Sequence, residues 1–149
     1  MAPSTQKALV IPAKQAPFQL ATDWPVTKPG PSDVLIRLVS VGLNPVDAYL
    51  KAFGGGPPLV PGYPFILGYD GAGVIEEVGS EVTNITKGDR VYVSAFGWSL
   101  DRDRRYSHYA SQSDRLVCGG FDNSRATFKE YLTFPAREVV KVCPYHQIC

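Results

Sequence analysis

The sequence has few cysteines, almost no net charge and no long apolar run. Three cysteines among 149 residues are an odd number and too few for a disulfide framework, so we expect a reducing, cytoplasmic setting. A net charge of +1 indicates no surface for nucleic acid or for a membrane. No apolar run approaches the roughly 20 residues of a membrane span, and residues 1–7 are polar, with no secretory signal behind them. We expect a cytoplasmic protein that binds neither nucleic acid nor a membrane.

The sequence also lacks the Gly-x-Gly-x-x-Gly turn that binds dinucleotides. Gly71 and Gly73 are followed by Glu76 where the third glycine belongs, and residues 54–56 run into two prolines that block a helix. A chain of 149 residues is one domain by length. We therefore expect one domain and no Rossmann domain in this chain.

Short strand patterns make up most of the sequence. Apolar runs bounded by proline and glycine predict strands, and these cover residues 7–12, 18–22, 33–41, 74–78, 90–95, 128–134 and 139–142. In residues 33–41, apolar side chains occupy both alternating faces, so both faces are expected to be mostly buried. Many short strands with little helix predict a mainly β fold, and a partly open β-barrel packs them economically.

Residues 44–51 carry the signals of a short helix. Asn44 suits the N-cap, Pro45 suits the first helical position, and the Asp47 carboxylate suits the first turn. Asp47 and Lys51 also form an oppositely charged pair one turn apart. The fold is therefore expected to contain one or two short helices.

Residues 64–79 organise the rest of the chain. Glycines at 68, 71 and 73 stand between two apolar runs, and glycines spaced in this way mark close approach of the backbone or positive φ. Tyr69 and Asp70 are the polar pair at the turn. This segment is predicted to form the wall of a cleft.

Three motifs in order resemble those of one enzyme family. Residues 41–47 resemble V-x-L-N-P-x-D, residues 68–73 resemble G-[HYC]-[ED]-x-A-G, and residues 82–91 resemble V-x-x-x-x-x-G-D-R-V. Together they resemble the zinc-independent quinone oxidoreductase and enoyl reductase branch of the medium-chain dehydrogenase/reductase superfamily. The resemblance implies the GroES-like, alcohol dehydrogenase-like N-terminal domain, mainly β, without the Rossmann domain that holds NADP(H).

The resemblance also implies a reaction and a site. Family members transfer hydride from NADPH to a C=C bond or a quinone, with Asn44 beside the nicotinamide and the substrate carbonyl, and Tyr49 and Tyr69 in the same cleft. An amide N–H or a phenol O–H can stabilise the oxygen that gains negative charge. Other readings stay open: Asn44 as a helix cap, Tyr49 as a packed helix aromatic, Tyr63 as a loop aromatic or proton donor, and Asp70 as a turn cap or an orienting group.

No zinc is expected. The zinc-dependent relatives place a cysteine near residue 42 and a histidine in the next motif, whereas Gly42 and Tyr69 stand at those places here. A separate metal module could be built from Cys118, Cys143, His146 and Cys149, but free thiols are the simpler interpretation.

Two segments do not fit the resemblance. We predict a domain over residues 1–142, interrupted by a foreign insertion at about 98–119, and an irregular tail at 143–149. Both are hypothesised to be translated non-coding sequence; an ordinary surface loop and a frayed end are the alternatives. The arginine cluster at 102–105 is interleaved with an aspartate, which indicates a solvated loop.

The sequence therefore predicts the substrate-side domain of an NAD(P)H-dependent oxidoreductase, truncated and inactive alone, acting by family on an enone or a quinone. The alternative is a non-catalytic partner of full-length relatives, with homo- or hetero-association through the exposed domain interface.

Overall fold

The computed structural model describes residues 2–54, 62–94 and 123–142. A short 3₁₀ helix, Ala136–Glu138, accompanies the regular elements. In chain order these elements are β1 (Thr5–Ile11), β2 (Gln19–Pro25), β3 (Asp33–Gly42), α1 (Pro45–Phe53), β4 (Phe65–Ile66), β5 (Asp70–Val78), β6 (Arg90–Ser94), β7 (Tyr131–Pro135) and β8 (Val140–Lys141). The predicted strands and helix are all present, with shifted ends.

The strands form two antiparallel sheets. One has the order β2-β1-β4 and the other the order β7-β3-β5-β6-β8. The Leu9 N–H donates to the Phe128 carbonyl at 2.8 Å and the Glu130 N–H to the Lys7 carbonyl at 3.1 Å. These bonds join β1, the middle strand of the first sheet, to the residues just before β7, an edge strand of the second. Within the described residues the two sheets do not close into a complete barrel. The predicted mainly β fold class is confirmed.

Alternation along each strand produces two apolar cores. In β6, for example, Val91 and Val93 are buried and Tyr92 between them is exposed, as expected because successive side chains point to opposite faces. One core combines β1, β4 and α1, and its buried side chains include Val10, Leu50, Phe65 and Tyr69. The other combines β3, β5, β6 and β7, and its buried side chains include Ile36, Ile75, Val91 and Leu132.

The expectation that both faces of residues 33–41 are mostly buried is wrong for the second half of that segment. Val39 is 69% exposed and Val41 is 40% exposed. The pairing of β3 with β5 shifts register between Leu38 and Ser40, and such a bulge changes which side chains the sheet covers. The alternating pattern could not reveal this shift.

β5 begins at Asp70, four residues earlier than predicted, so Gly71 and Gly73 lie inside a strand. A methyl group on residue 73 would overlap the carbonyl oxygen of Arg37 and lie 2.8 Å from Cγ2 of Ile36. Glycine is needed here because the backbone of β3 passes too close for any side chain.

Several sequence predictions fall outside the described residues. These are the insertion at about 98–119, the tail at 143–149, the arginine cluster at 102–105 and the metal module on the tail. Across the three described ranges, no helix is long and apolar enough to cross a membrane.

Candidate functional site

Four elements meet at one edge of the five-stranded sheet. Gly42, the last residue of β3, pairs with Asp70 at the start of β5, and Asp70 pairs with Ser94 at the end of β6. Asn44 follows β3 after a single intervening residue and is the N-cap of α1. The chain thus places a strand end, a helix start and two neighbouring strands around Asp70.

Asp70 joins two polar side chains at this edge. Its Oδ2 accepts a hydrogen bond from the Asn44 side-chain amide at 2.8 Å, and its Oδ1 accepts one from the Tyr92 hydroxyl at 3.0 Å. Asn44 and Asp70 are half-buried, and Tyr92 is 40% exposed. The result is a hydrogen-bonded network of three side chains, Asn44, Asp70 and Tyr92. Each oxygen of the Asp70 carboxylate accepts from its own donor.

A second carboxylate, that of Asp47, lies in the first turn of α1 on its buried side. Asp47 is 6% exposed and accepts hydrogen bonds from the Asn44 N–H at 2.8 Å and from the buried Gly68 N–H at 3.1 Å. Burial raises the pKa of the Asp47 carboxyl above its ordinary value and the charge of Asp70 adds to the rise, although the two N–H groups oppose it. Asp47 therefore fastens α1 to the turn that precedes β5.

The local sequence explains why Asn44 is held. Its backbone is extended (φ −117°, ψ 152°), as the N-cap position requires, and Pro45 begins the helix. Gly42 leaves room for the neighbouring strand, because a methyl group at that position would lie 3.0 Å from Cβ of Asp70. The helix ends at Gly54, which has φ +56°, a left-handed conformation that glycine adopts readily.

Tyr92 stays protonated at neutral pH. Burial raises the pKa of its phenol above the ordinary value, and the hydrogen bond and charge of Asp70 raise it further, whereas a hydrogen bond with Ser94 acts in the opposite direction. The hydroxyl is therefore available as a donor, and Asp70 accepts from it.

The structure brings together only part of the predicted site. Asn44 and Asp70 are in direct contact. Tyr49 is 56% exposed on the outer face of α1, with its ring centroid 4.9 Å from that of Phe53. Tyr69 is 2% exposed and belongs to the first apolar core. The catalytic roles of Asn44, Tyr49 and Tyr69 stay predictions.

Sequence reasoning missed the partners that complete the site. The local pattern marks Asp47 as a first-turn carboxylate and as a partner of Lys51, but not as an acceptor for Gly68, because the turn that buries it lies 21 residues further on. For Tyr92, the sequence indicates only a position between two valines of a strand, and nothing in it indicates a contact with Asp70. Only the register of β5 against β6 shows that it reaches Asp70.

The arrangement can donate a hydrogen bond to a ligand. The Asn44 amide nitrogen carries two hydrogens, of which Asp70 takes one, and a half-buried N–H donor suits an oxygen that gains negative charge. A groove of about 350 Å³ lies at the opposite end of β3 and β5, between residues 28–31 and 77–80. The length of these two strands separates the groove from Asn44.

Comparison with known proteins gives a consistent family. The model for the alcohol dehydrogenase GroES-like domain matches residues 30–144. The chain is 35% identical to the trans-enoyl reductase buaC of Petromyces alliaceus over 97% of this chain and 33% of that protein. It is 45% identical to a quinone oxidoreductase of Pseudomonas aeruginosa over 46% of this chain and 20% of that one.

Solved structures agree with the sequence matches. An alcohol dehydrogenase superfamily protein from Novosphingobium aromaticivorans superposes with a TM-score of 0.68 and 28% identity, covering 92% of this chain and 34% of the other. The chain spans a third or less of the length of the curated trans-enoyl reductases and the bacterial quinone oxidoreductase that it matches.

Proposed function

Since this chain belongs to the alcohol dehydrogenase GroES-like domain family, we propose that it forms the substrate side of a hydride-transfer site of the quinone or enoyl reductase type. Relatives named as trans-enoyl reductases and quinone oxidoreductases support this reaction class. The substrate would be a small enone or a quinone, and NADP(H), when bound, supplies the hydride. Zinc has no role in this proposal, because Gly42 and Tyr69 stand where zinc-dependent relatives have ligands.

One observation carries the proposal: the Asn44 amide is held at 2.8 Å by Asp70 at the edge where β3 ends and α1 begins. Reduction of an enone or a quinone places negative charge on the carbonyl oxygen. A preorganised N–H donor stabilises that charge because it needs no reorientation during the reaction. Asn44 is the donor, and Asp70 fixes its orientation.

The described residues fit only one end of the cofactor. The half-buried Asn44 amide can contact the nicotinamide, but the sequence contains no Gly-x-Gly-x-x-Gly turn for the diphosphate. We therefore propose that the 149-residue chain does not oxidise NADPH by itself. It contributes a hydrogen-bond donor and one wall of the substrate cleft, and another domain or chain must bind the rest of the nucleotide.

The first test measures NADPH consumption by the purified chain with a quinone and with an enone, beside a thermal melt with and without NADPH. We expect no turnover above background and no change in melting temperature. A ligand at 100 times its dissociation constant stabilises by about 2.7 kcal/mol, so a site would be visible as a shift of several degrees. Turnover or a clear shift would contradict the proposal.

The second test supplies the missing domain. Residues 2–142 replace the matching segment of a full-length quinone oxidoreductase, and Asn44→Ala is compared with Asp23→Ala, an exposed aspartate of β2. Loss of one oxyanion donor lowers kcat by about 10²–10³, so we expect a large loss for Asn44→Ala and none for Asp23→Ala. An Asn44→Ala chimera as active as its parent would exclude Asn44 as the donor.

A non-catalytic partner of full-length relatives is the second candidate. Val39, Leu43 and Phe53 are 69%, 81% and 62% exposed, and in this proposal they contact the surface of the partner. Light scattering after size exclusion decides between the two: a monomer that also fails to bind a relative's protein would rule this candidate out.

A further inference from the structure

Tyr92 reaches the site through the register of two strands. In the pairing of β5 with β6, Asp70 lies opposite Ser94 and Ala72 lies opposite Tyr92. Asp70 and Tyr92 are therefore diagonal neighbours on one face of the sheet, a separation that an aromatic side chain can span. The phenol uses that reach to place its hydroxyl 3.0 Å from Oδ1 of Asp70.

We propose that Tyr92 is a positioning residue, whose hydroxyl holds the Asp70 carboxylate in the one orientation that fixes the side-chain amide of Asn44. This inference rests on the proposed function of Asn44. A carboxylate held by one donor can turn about its own side-chain bonds. A donor at each oxygen, Tyr92 at Oδ1 and Asn44 at Oδ2, removes that freedom.

Sheet stability alone does not account for this contact. Backbone pairing already joins β5 to β6 over five residue pairs, from Asp70 with Ser94 to Val74 with Arg90. Tyr92 is 40% exposed, and its own carbon atoms contribute little to either apolar core. The hydroxyl is the part of Tyr92 that touches the site, so Tyr92→Phe removes the positioning contact and leaves the strand pairing in place.

The Asp70 carboxylate must also be held in place against repulsion from a second carboxylate. Asp47 lies behind the same helix start, and the two carboxylates repel each other. A neutral phenol at Oδ1 holds Asp70 without adding a third negative charge. The four groups Asp47, Asn44, Asp70 and Tyr92 thus form a continuous network from the buried face of α1 to the surface of β6.

The test follows the Asn44 amide by NMR in the 15N-labelled 149-residue chain, without cofactor or substrate. The Asn44 side-chain signals are assigned by their loss in Asn44→Ser, and their exchange with water is measured in wild type, Tyr92→Phe and Tyr131→Phe. Tyr131 lies on β7 and serves as the matched control, since it loses the same hydroxyl elsewhere in the sheet. We expect about two- to fivefold faster exchange in Tyr92→Phe only, fivefold being the factor for about 1 kcal/mol of a lost hydrogen bond.

A reverse measurement keeps the proposal testable if Tyr92→Phe disturbs folding. In Asp70→Asn, the phenol of Tyr92 loses a charged acceptor, so its 13Cζ signal should titrate at lower pH than in the wild type. Unchanged Asn44 exchange in a folded Tyr92→Phe, or an unchanged Tyr92 titration in Asp70→Asn, would overturn the proposal. Neither readout depends on hydride transfer, so the positioning role and the proposed function can fail separately.

Discussion

Asp47→Ala removes the carboxylate that fastens α1 to the turn before β5. In the wild type, Asp47 accepts from the Asn44 N–H at 2.8 Å and from the Gly68 N–H at 3.1 Å, and the second bond is buried. Alanine has no acceptor, and no water reaches a buried N–H easily. We therefore expect both the helix start and the turn to be destabilised together.

The magnitude follows from these two donors. A buried donor left without a partner costs about 1–3 kcal/mol, and loss of an N-terminal cap costs about 1 kcal/mol. Relief of the buried charge offsets part of this loss, because burial raises the pKa of Asp47. We expect a net loss of about 2 kcal/mol in the free energy of unfolding, which for a chain of this size lowers the melting temperature by roughly 4–8 °C.

Two variants make the Asp47 experiment decisive. Asp47→Asn can satisfy one N–H but not both, so we expect an intermediate loss of about 1 kcal/mol. Asp23→Ala, an exposed aspartate of β2, should change stability by less than about 0.5 kcal/mol. Urea denaturation and thermal melts measure all three variants. An Asp47→Ala protein that melts within about 2 °C of the wild type would refute the reasoning.

Three further outcomes follow from the structure. Gly73→Ala should lower the free energy of unfolding, measured by urea denaturation, by about 2–3 kcal/mol, because its methyl group would overlap the Arg37 carbonyl. Gly62→Ala, whose Cβ would meet none of the described residues within 4 Å, should be neutral, and equal losses would contradict this. Because the pKa of Asp47 is raised in the fold, the pH-dependent part of its contribution to stability is fully present below pH 3.8 and is lost as pH rises through the folded value. The difference in unfolding free energy between the wild type and Asp47→Asn should therefore shrink with rising pH, and a difference that widens instead would refute the sign. By the same rule, the raised pKa of Tyr92 gives a contribution to the free energy of unfolding that is lost as pH rises above 10. Tyr92→Phe should therefore reduce the fall in stability above pH 10. Identical plots of stability against pH for the wild type and Tyr92→Phe would argue against it.

The strands and the helix start could be predicted because their signals are local. Residues 90–95 alternate in polarity, and β6 indeed buries Val91 and Val93. Asn44, Pro45 and Asp47 mark a helix start with short side chains and a fixed φ, and α1 begins at Pro45. Each signal depends on neighbours within a few residues, so one sequence is enough to read it.

The site needed information that a local pattern does not hold. Tyr92 contacts Asp70 only because β5 and β6 pair in one particular register, and a shift of one residue would turn Tyr92 to the other face. The resemblance implies a cleft role for Tyr69, which stays a prediction, and no local pattern shows that its side chain is buried in the first apolar core. Val39 is exposed because of a bulge that no apolar pattern predicts.

The central claim is that Asn44 offers a hydrogen bond to a carbonyl ligand at this edge of the sheet. An NMR titration of the 15N-labelled chain with a fully substituted quinone, which does not alkylate thiols, tests it directly. We predict shifts concentrated at the Asn44 side-chain amide, Asp70 and Tyr92, and their loss in Asn44→Ala. No shift up to the solubility limit, or shifts centred on the groove between residues 28–31 and 77–80, would contradict the claim.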